Sequence, residues 1–395
     1  MIQRTLHFMT AAAATAMLAA CGGDSPEAAP QPTRIELLAS SPKGMDSIAF
    51  SGGHAYVSLA TSTSEGSALM RTALPVGPAS GWSEVPLGQC GAAPANEYAP
   101  ERAPGLQVIG NTLWMFQSWF EGPEGAAQQH VLCAMEPGSS AFVPKDEGLR
   151  ACNEYYCSTL WMTDLKLAGT RLFSNAGGGR NLMVSDDQSA SWRVLLGAFD
   201  TDICTHQAFH VMGDRVLVGG ECPLDDAFIS AYQLSADGGS LATGDELPIT
   251  LPELENRNIQ FIDSVPGTQR VFVGVEGGLL RSDDGGRSFK FVIHHPLERN
   301  TSYPYVRKFL TPKGKPETIV VGGFDKERAK PFLAWSANGG DTWTDLSHML
   351  PGAQQEGATA QVMDLAEAPD GRLLIVLNEK ETTQGRLLSL TLGQP

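Results

Sequence analysis

The sequence predicts an all-β protein, a seven-bladed β-propeller. Three observations carry that prediction: an octapeptide that recurs, the spacing at which it recurs, and the short strands that each repeat holds. In the fullest copy, Ser282 to Phe289 reads Ser-Asp-Asp-Gly-Gly-Arg-Ser-Phe, with Asp284 and Gly286 at its centre. This matches the pattern Ser-x-Asp-x-Gly-x-(Ser/Thr)-(Trp/Phe). Ser336 to Trp343 repeats it with Asn338 in the Asp place and Gly340 in the Gly place. Ser185 to Trp192 repeats it again, keeping Asp187 but with Ser189 in the Gly place. Self-similarity at a fixed period decides an architecture ahead of other arguments.

Weaker copies fill in the period. Ser235 opens Ser-Ala-Asp-Gly-Gly without the closing aromatic, Ala134 opens a remnant, and Thr72 and Ser389 align with Ser282. The equivalent positions 72, 134, 185, 235, 282, 336 and 389 are 62, 51, 50, 47, 54 and 53 residues apart. Seven units of about fifty residues, each with several short strands, are the signature of a propeller.

Each unit reads as strands in order. Unit four gives Ala208–Met212, Arg215–Gly219, Phe228–Leu234 and a poor fourth strand. Unit five gives Ile259–Asp263, Arg270–Val275, Leu279–Ser282 and Phe289–Ile293. Unit six gives Val306–Leu310, Thr318–Gly322, Phe332–Trp335 and Trp343–Leu346. Unit seven has three strands, Gln361–Ala366, Leu373–Leu377 and Leu387–Leu392, and lacks a fourth. The segment Thr33–Ala39 is the expected substitute, closing the ring and removing an open sheet edge. In the octapeptide turn the Asp carboxylate accepts backbone N–H bonds, the glycines allow positive φ, and the Trp or Phe buries aromatic area under the hairpin.

On these residues the chain resembles the sialidase-type, Asp-box (BNR-repeat) propeller superfamily. The resemblance implies the fold over residues 33–395 as one domain, and leaves the activity open, because one fold hosts many functions. Sialidase chemistry would need three Arg for the substrate carboxylate, a Tyr–Glu nucleophile pair and an Asp acid/base. The nearest match to the family's arginine motif is Thr33-Arg34-Ile35-Glu36, which lacks its aromatic and its Pro. Tyr303 opens an inner strand as the nucleophile segment does, but stands in unit six of seven and is read as a strand-end aromatic.

The N-terminus resembles a bacterial lipoprotein signal. Arg4 precedes an apolar stretch, and Leu18-Ala-Ala-Cys21 has the form of a lipobox. The resemblance implies cleavage after residue 20, lipid on Cys21, and anchoring in the cell envelope. Gly22 after Cys21 implies the outer membrane, and residues 21–32 read as a flexible tether. With 28 basic and 44 acidic residues the net charge is −16; losing Arg4 leaves 27 − 44 = −17. That excess argues against nucleic acid as a partner.

With Cys21 assigned to lipid, six Cys remain, an even number that implies three disulfides in an exported protein. Cys204 and Cys222 flank a hairpin centred on Gly213 and Asp214 and would face each other. Cys152 and Cys157 would close a small loop, and Cys90–Cys133 follows by elimination. No cofactor or metal site is expected: His206 and His210, read as one strand face, would lie about 13 Å apart. The long connections Gly88–Gly105, Trp119–Gln129 and Val143–Ser158 hold aromatics among charges. Arg102, Trp119, Tyr155 and Tyr156 are the candidate partner-binding residues, for an envelope protein or glycan. The function expected is a non-catalytic envelope-anchored binding propeller; the alternative is an exported sialidase-like glycoside hydrolase.

Overall fold

The computed structural model describes residues 33–59, 68–91, 104–116, 130–149, 162, 164–175, 182–197, 205–221, 227–254, 257–298, 302–325, 330–353, 360–379 and 384–393. They form seven small antiparallel sheets, the blades of a seven-bladed β-propeller. The inner strands, in blade order, are Met45–Ser51, Gly105–Ile109, Leu165–Ala168, Thr205–Met212, Ile259–Ser264, Pro304–Leu310 and Ala360–Glu367.

The ring closes as the missing fourth strand of unit seven predicts. Arg34–Ser41 is the outer strand of blade seven and pairs antiparallel with Gln384–Thr391. Blade four keeps three strands among the described residues. Its edge is covered by two isolated bridges, Ala231 to Leu247 and Leu234 to Leu241. The strands of blades five and six fall within a few residues of their predicted bounds. Phe289 and Trp343, however, precede the outer strands Lys290–His294 and Thr344–Asp345 instead of opening them. These aromatics turn inward: Phe289 joins the core between blades four and five, and Trp343 packs between five and six.

The core is divided among the seven interfaces between neighbouring blades. In the second strand of blade five, Val271, Val273 and Val275 pack toward blade four while Phe272 packs toward blade six. Both faces of each sheet are therefore covered, which is why these strands read as continuous apolar runs. The sheets approach closely. A Cβ on Gly274 would stand 2.2 Å from the Val306 carbonyl of the next blade.

Cys90 and Cys133 form a disulfide, both buried in the core shared by blades one and two. Cys152, Cys157, Cys204 and Cys222 lie outside the described residues, as does Cys21.

Candidate functional site

An axial channel of about 1360 Å³ runs through the ring, lined by residues of all seven inner strands or the segments entering them. Its lining depends on a feature no periodicity predicts. The inner strands of blades one, four, five, six and seven each carry a register shift, between Met45 and Ser47, His206 and Ala208, Ile259 and Phe261, Val306 and Lys308, and Val362 and Asp364. The extra residues are Asp46, Gln207, Gln260, Arg307 and Met363, and all five line the channel. A bulge re-aims a side chain that regular alternation would place elsewhere. Four of the five are polar, and they join Gln107, Asp164, Asp263, Lys308 and Asp364 in a wall of mixed polarity.

One such bulge corrects the reading of the two histidines. His206 pairs with Gly220 and His210 with Leu217. The inserted Gln207 reverses the alternation, so the two rings point to opposite faces of the strand. His206 lies against Phe228, with ring centroids 5.8 Å apart. Among the described residues no His, Cys, Asp and Glu cluster could hold a metal ion.

Two charged groups stand on opposite sides of the ring. The first joins blades three, four and five. Lys166 Nζ donates to the Ile262 carbonyl at 2.7 Å and lies 3.1 Å from Asp164, 3.6 Å from Asp263 and 3.2 Å from His210 Nδ1. Burial works against the Lys166 ammonium, but the charges of Asp164 and Asp263 outweigh it and hold its pKa above the usual lysine value. Burial, helped by the charge on Lys166, pulls His210 from 6.5 to about 4. The imidazole is therefore neutral near pH 7, and its Nδ1 accepts from Lys166.

The second group joins blades six, seven and one. Asp364 accepts from Ser47 Oγ at 2.9 Å, from the Ile48 amide at 3.0 Å and from the Leu365 amide at 3.0 Å. Lys308 Nζ lies 3.6 Å from it. Arg307 places its guanidinium 5.9 Å from the Phe324 ring centroid and reaches Gln361 Oε1 at 3.5 Å. Phe324 is stacked on Tyr305, centroids 4.7 Å apart and planes 4° from parallel.

A Tyr–carboxylate pair does exist. Tyr303 Oη donates to Glu276 Oε1 at 2.7 Å, and Asn258 Nδ2 reaches Oε2 at 3.3 Å. The tyrosine is thus more than a strand-end aromatic. It is 6% exposed and Glu276 is 4% exposed, and neither lines the channel. Beside them Arg257 is fully buried and donates to the Glu276 and His295 carbonyls. Arg34 stands on the outermost strand of blade seven, paired with Glu36 at 3.4 Å, on the perimeter of the ring rather than at its axis.

The octapeptides form the turns between third and outer strands. Ser282 Oγ donates to Asp284 Oδ1 at 2.7 Å and accepts from the Gly286 amide at 2.8 Å. Asp284 Oδ1 takes the Ser288 amide at 2.9 Å, and Oδ2 takes the Ser288 hydroxyl at 2.6 Å. Ser185 and Asp187 repeat this with Ser189 and Ser191; Ser336 and Asn338 repeat it with Gly340 and Thr342. Hydrogen bonds from the Ser191 hydroxyl and amide and from Ser185 hold Asp187 down at about 2. These carboxylates are occupied by the turn itself.

Arg102, Trp119, Tyr155 and Tyr156 lie outside the described residues. The connections that contain them run from blade to blade or from second to third strand. Sequence reasoning missed Lys166, Arg307, Lys308 and Asp364. The available signal was charge inside short apolar strands, as in Val306-Arg-Lys-Phe-Leu310.

No family model matches the chain, and no curated protein matches it. Solved structures do. One is the extracellular domain of BT4673 from B. thetaiotaomicron, at 10% identity and a TM-score of 0.53, over 91% of this chain and 40% of that one. YCF48 bound to D1 peptide matches at 13% identity and 0.50, over 92% and 96%. A Mycobacterium tuberculosis puromycin-hydrolyzing peptidase matches at 12% and 0.50, over 89% and 52%. This chain thus spans about two fifths of the BT4673 domain and half of the peptidase. At such identities the likeness establishes the propeller fold alone.

Proposed function

We propose that this chain is a non-catalytic binding propeller, exported and held in the bacterial envelope by lipid on Cys21, whose partner is a protein. The observation that carries the reading is the state of the reactive groups. The Tyr303–Glu276 pair is sealed in the wall, and the octapeptide carboxylates are consumed in turns. The channel instead offers fixed, hydrogen-bonded polar side chains, which suit recognition. YCF48, matched over nearly its whole length, is a propeller of this size solved with a peptide, which agrees with a protein partner. The extracellular BT4673 domain agrees with an exported chain. The long connections of blades one to three supply the rest of the contact face, through Arg102, Trp119, Tyr155 and Tyr156.

The test pairs capture with turnover. The mature chain is used to pull partners from envelope extract, and fluorogenic sialosides and other glycosides are offered to it. Specific capture that Trp119→Ala and Tyr155→Ala weaken, without turnover, is the expected result. The second reading, a sialidase-like exo-glycosidase, is favoured by the 2.7 Å Tyr303–Glu276 bond. Robust turnover abolished by Tyr303→Phe would replace the binding reading with it.

A further inference from the structure

The binding reading leaves open how a protein partner is held, and side-chain amides in the channel wall bear on it. We infer that the mouth at which the inner strands begin receives an extended, uncharged segment of the partner protein and holds it by its backbone; the inference rests on that reading. Gln107, Gln260 and Gln361 line the channel. Each lies within the first three residues of an inner strand, in blades two, five and seven. Asn378, on the second strand of blade seven, is paired with Gln361 and lines the channel too. The four carboxamides therefore share one end of the channel. Their blades are three, two and two apart in the ring of seven, so they surround the axis.

Most of their hydrogen-bonding capacity is unused. Among the described residues the Gln260 and Asn378 side chains make no hydrogen bond, and Asn378 Oδ1 is buried without a donor. Gln107 uses its Oε1, 3.3 Å from the Leu165 amide, and Gln361 its Oε1, 3.5 Å from Arg307 Nη1. Neither NH2 group has an acceptor among the described residues. A carboxamide presents donors and an acceptor side by side, which is the complement of a peptide unit. The charges of the wall, by contrast, answer one another. Asp164 and Asp263 flank Lys166, and Lys308 lies 3.6 Å from Asp364, which also accepts from one hydroxyl and two amides. Five carboxylates and three cations line the channel, so a charged ligand of either sign meets its own sign there. An uncharged one does not.

The rings of the channel favour peptide over sugar. A pyranose lays its C–H face flat on an open aromatic face. Here the faces are covered: Phe116 lies across Gly105 and Phe261 across Gly274, where a Cβ would meet each ring. Phe324 has Tyr305 stacked on it at 4.7 Å and the Arg307 guanidinium 5.9 Å from its centroid. What these rings leave to a ligand are edges. Together with Met162 and Met363 they make an adaptable apolar surface for side chains of varied shape. The longest inner strand, Thr205–Met212, has eight residues, a rise of about 26 Å. An extended segment of similar length fits along the axis, its peptide groups on the amides and its apolar side chains on the ring edges and methionines.

The probe is a displayed library of random dodecapeptides selected on the full mature chain. The strongest binder is then made end-blocked and fluorescein-labelled, and its affinity is read by anisotropy. The expected binder has no net charge, carries apolar residues, and binds with little dependence on salt. Methylating alternate backbone nitrogens of that peptide leaves its side chains alone and should weaken binding about tenfold or more. Gln260→Leu with Gln361→Leu should weaken it as much. Gln269→Leu removes an exposed amide outside the channel and should leave binding unchanged; matching thermal melts show that each variant is folded. Cellohexaose is the competing sugar. Displacement of the peptide by cellohexaose, selection of acidic or basic peptides alone, tolerance of the methylated backbone, or indifference to the double variant overturns the inference. If partner capture from envelope extract persists in the double variant, this inference fails while the binding reading stands; no capture by the unaltered chain fells the binding reading itself.

Discussion

At the residue scale, the octapeptide turn shows what one backbone angle demands. Its fourth and fifth positions are left-handed in every full copy: Gly285 and Gly286 at φ 73° and 76°, Gly339 and Gly340 at 69° and 91°. Blade three meets the same angles with Gln188 at 57° and Ser189 at 67°. Side chains there carry strain that glycine avoids. Ser189→Gly should stabilise the protein by roughly 0.5–1 kcal/mol. Gly286→Ala should do the reverse, by about 2–3 kcal/mol, through its positive φ and overpacking, because the new Cβ would stand 2.6 Å from Leu217. Urea unfolding of both variants checks the pair, and a destabilised Ser189→Gly would show that the hydroxyl matters more than the angle.

At the element scale, blades are joined by more than apolar contact. Arg281, just before the blade-five turn, donates to the Gly339 carbonyl at 3.0 Å and to Asp341 at 2.7 Å in the blade-six turn. Arg215 of blade four reaches the Gly286 carbonyl at 3.2 Å, and Arg372 of blade seven reaches Val76 of blade one at 2.9 Å. Each arginine satisfies a carbonyl that a tight turn leaves outside any ladder. Between blades one and two the link is covalent. Cys90 and Cys133 are separated by 43 residues, so the cross-link removes about 4 kcal/mol of loop entropy from the unfolded chain. Cys90→Ala with Cys133→Ala should lower stability by about that amount, measured by urea unfolding beside the oxidised parent. A loss under about 1 kcal/mol would mean that the buried core around the pair holds the two blades by itself.

At the scale of the whole molecule, the ring depends on contacts that cross blades distant in sequence. Arg34–Ser41 closes blade seven against Gln384–Thr391, and the Lys166 group ties three blades at the axis. That group makes stability depend on pH. His210 has a folded pKa of about 4 against 6.5 when unfolded. Between those values the unfolded chain binds more protons, so stability is complete above pH 6.5 and falls as pH drops toward 4. The loss attributable to His210 is roughly 3 kcal/mol. His210→Gln keeps an acceptor for Lys166 and cannot titrate. Its stability should change less than the parent's between pH 7 and pH 4.5, and an equal change would place the acid sensitivity elsewhere.

The sequence alone determined the architecture, because the signals for it are local and repeated. An octapeptide such as Ser282 to Phe289 encodes its own turn through bonds among its own residues, and seven such units fix the blade count by spacing. Ring closure was legible for the same reason, since unit seven was one strand short and Thr33–Ala39 was spare. The channel was not legible. Arg307, Lys308 and Asp364 looked like charges interrupting apolar strands, and Tyr303 gave no sign of Glu276, 27 residues earlier. A bulge is a mismatch between two paired strands, so one strand's sequence cannot reveal it, and a single inserted residue decides which side chains face the axis. Which polar side chains meet in the channel wall depends on residues up to 317 positions apart, as Ser47 and Asp364 show. Only the closed ring brings them together.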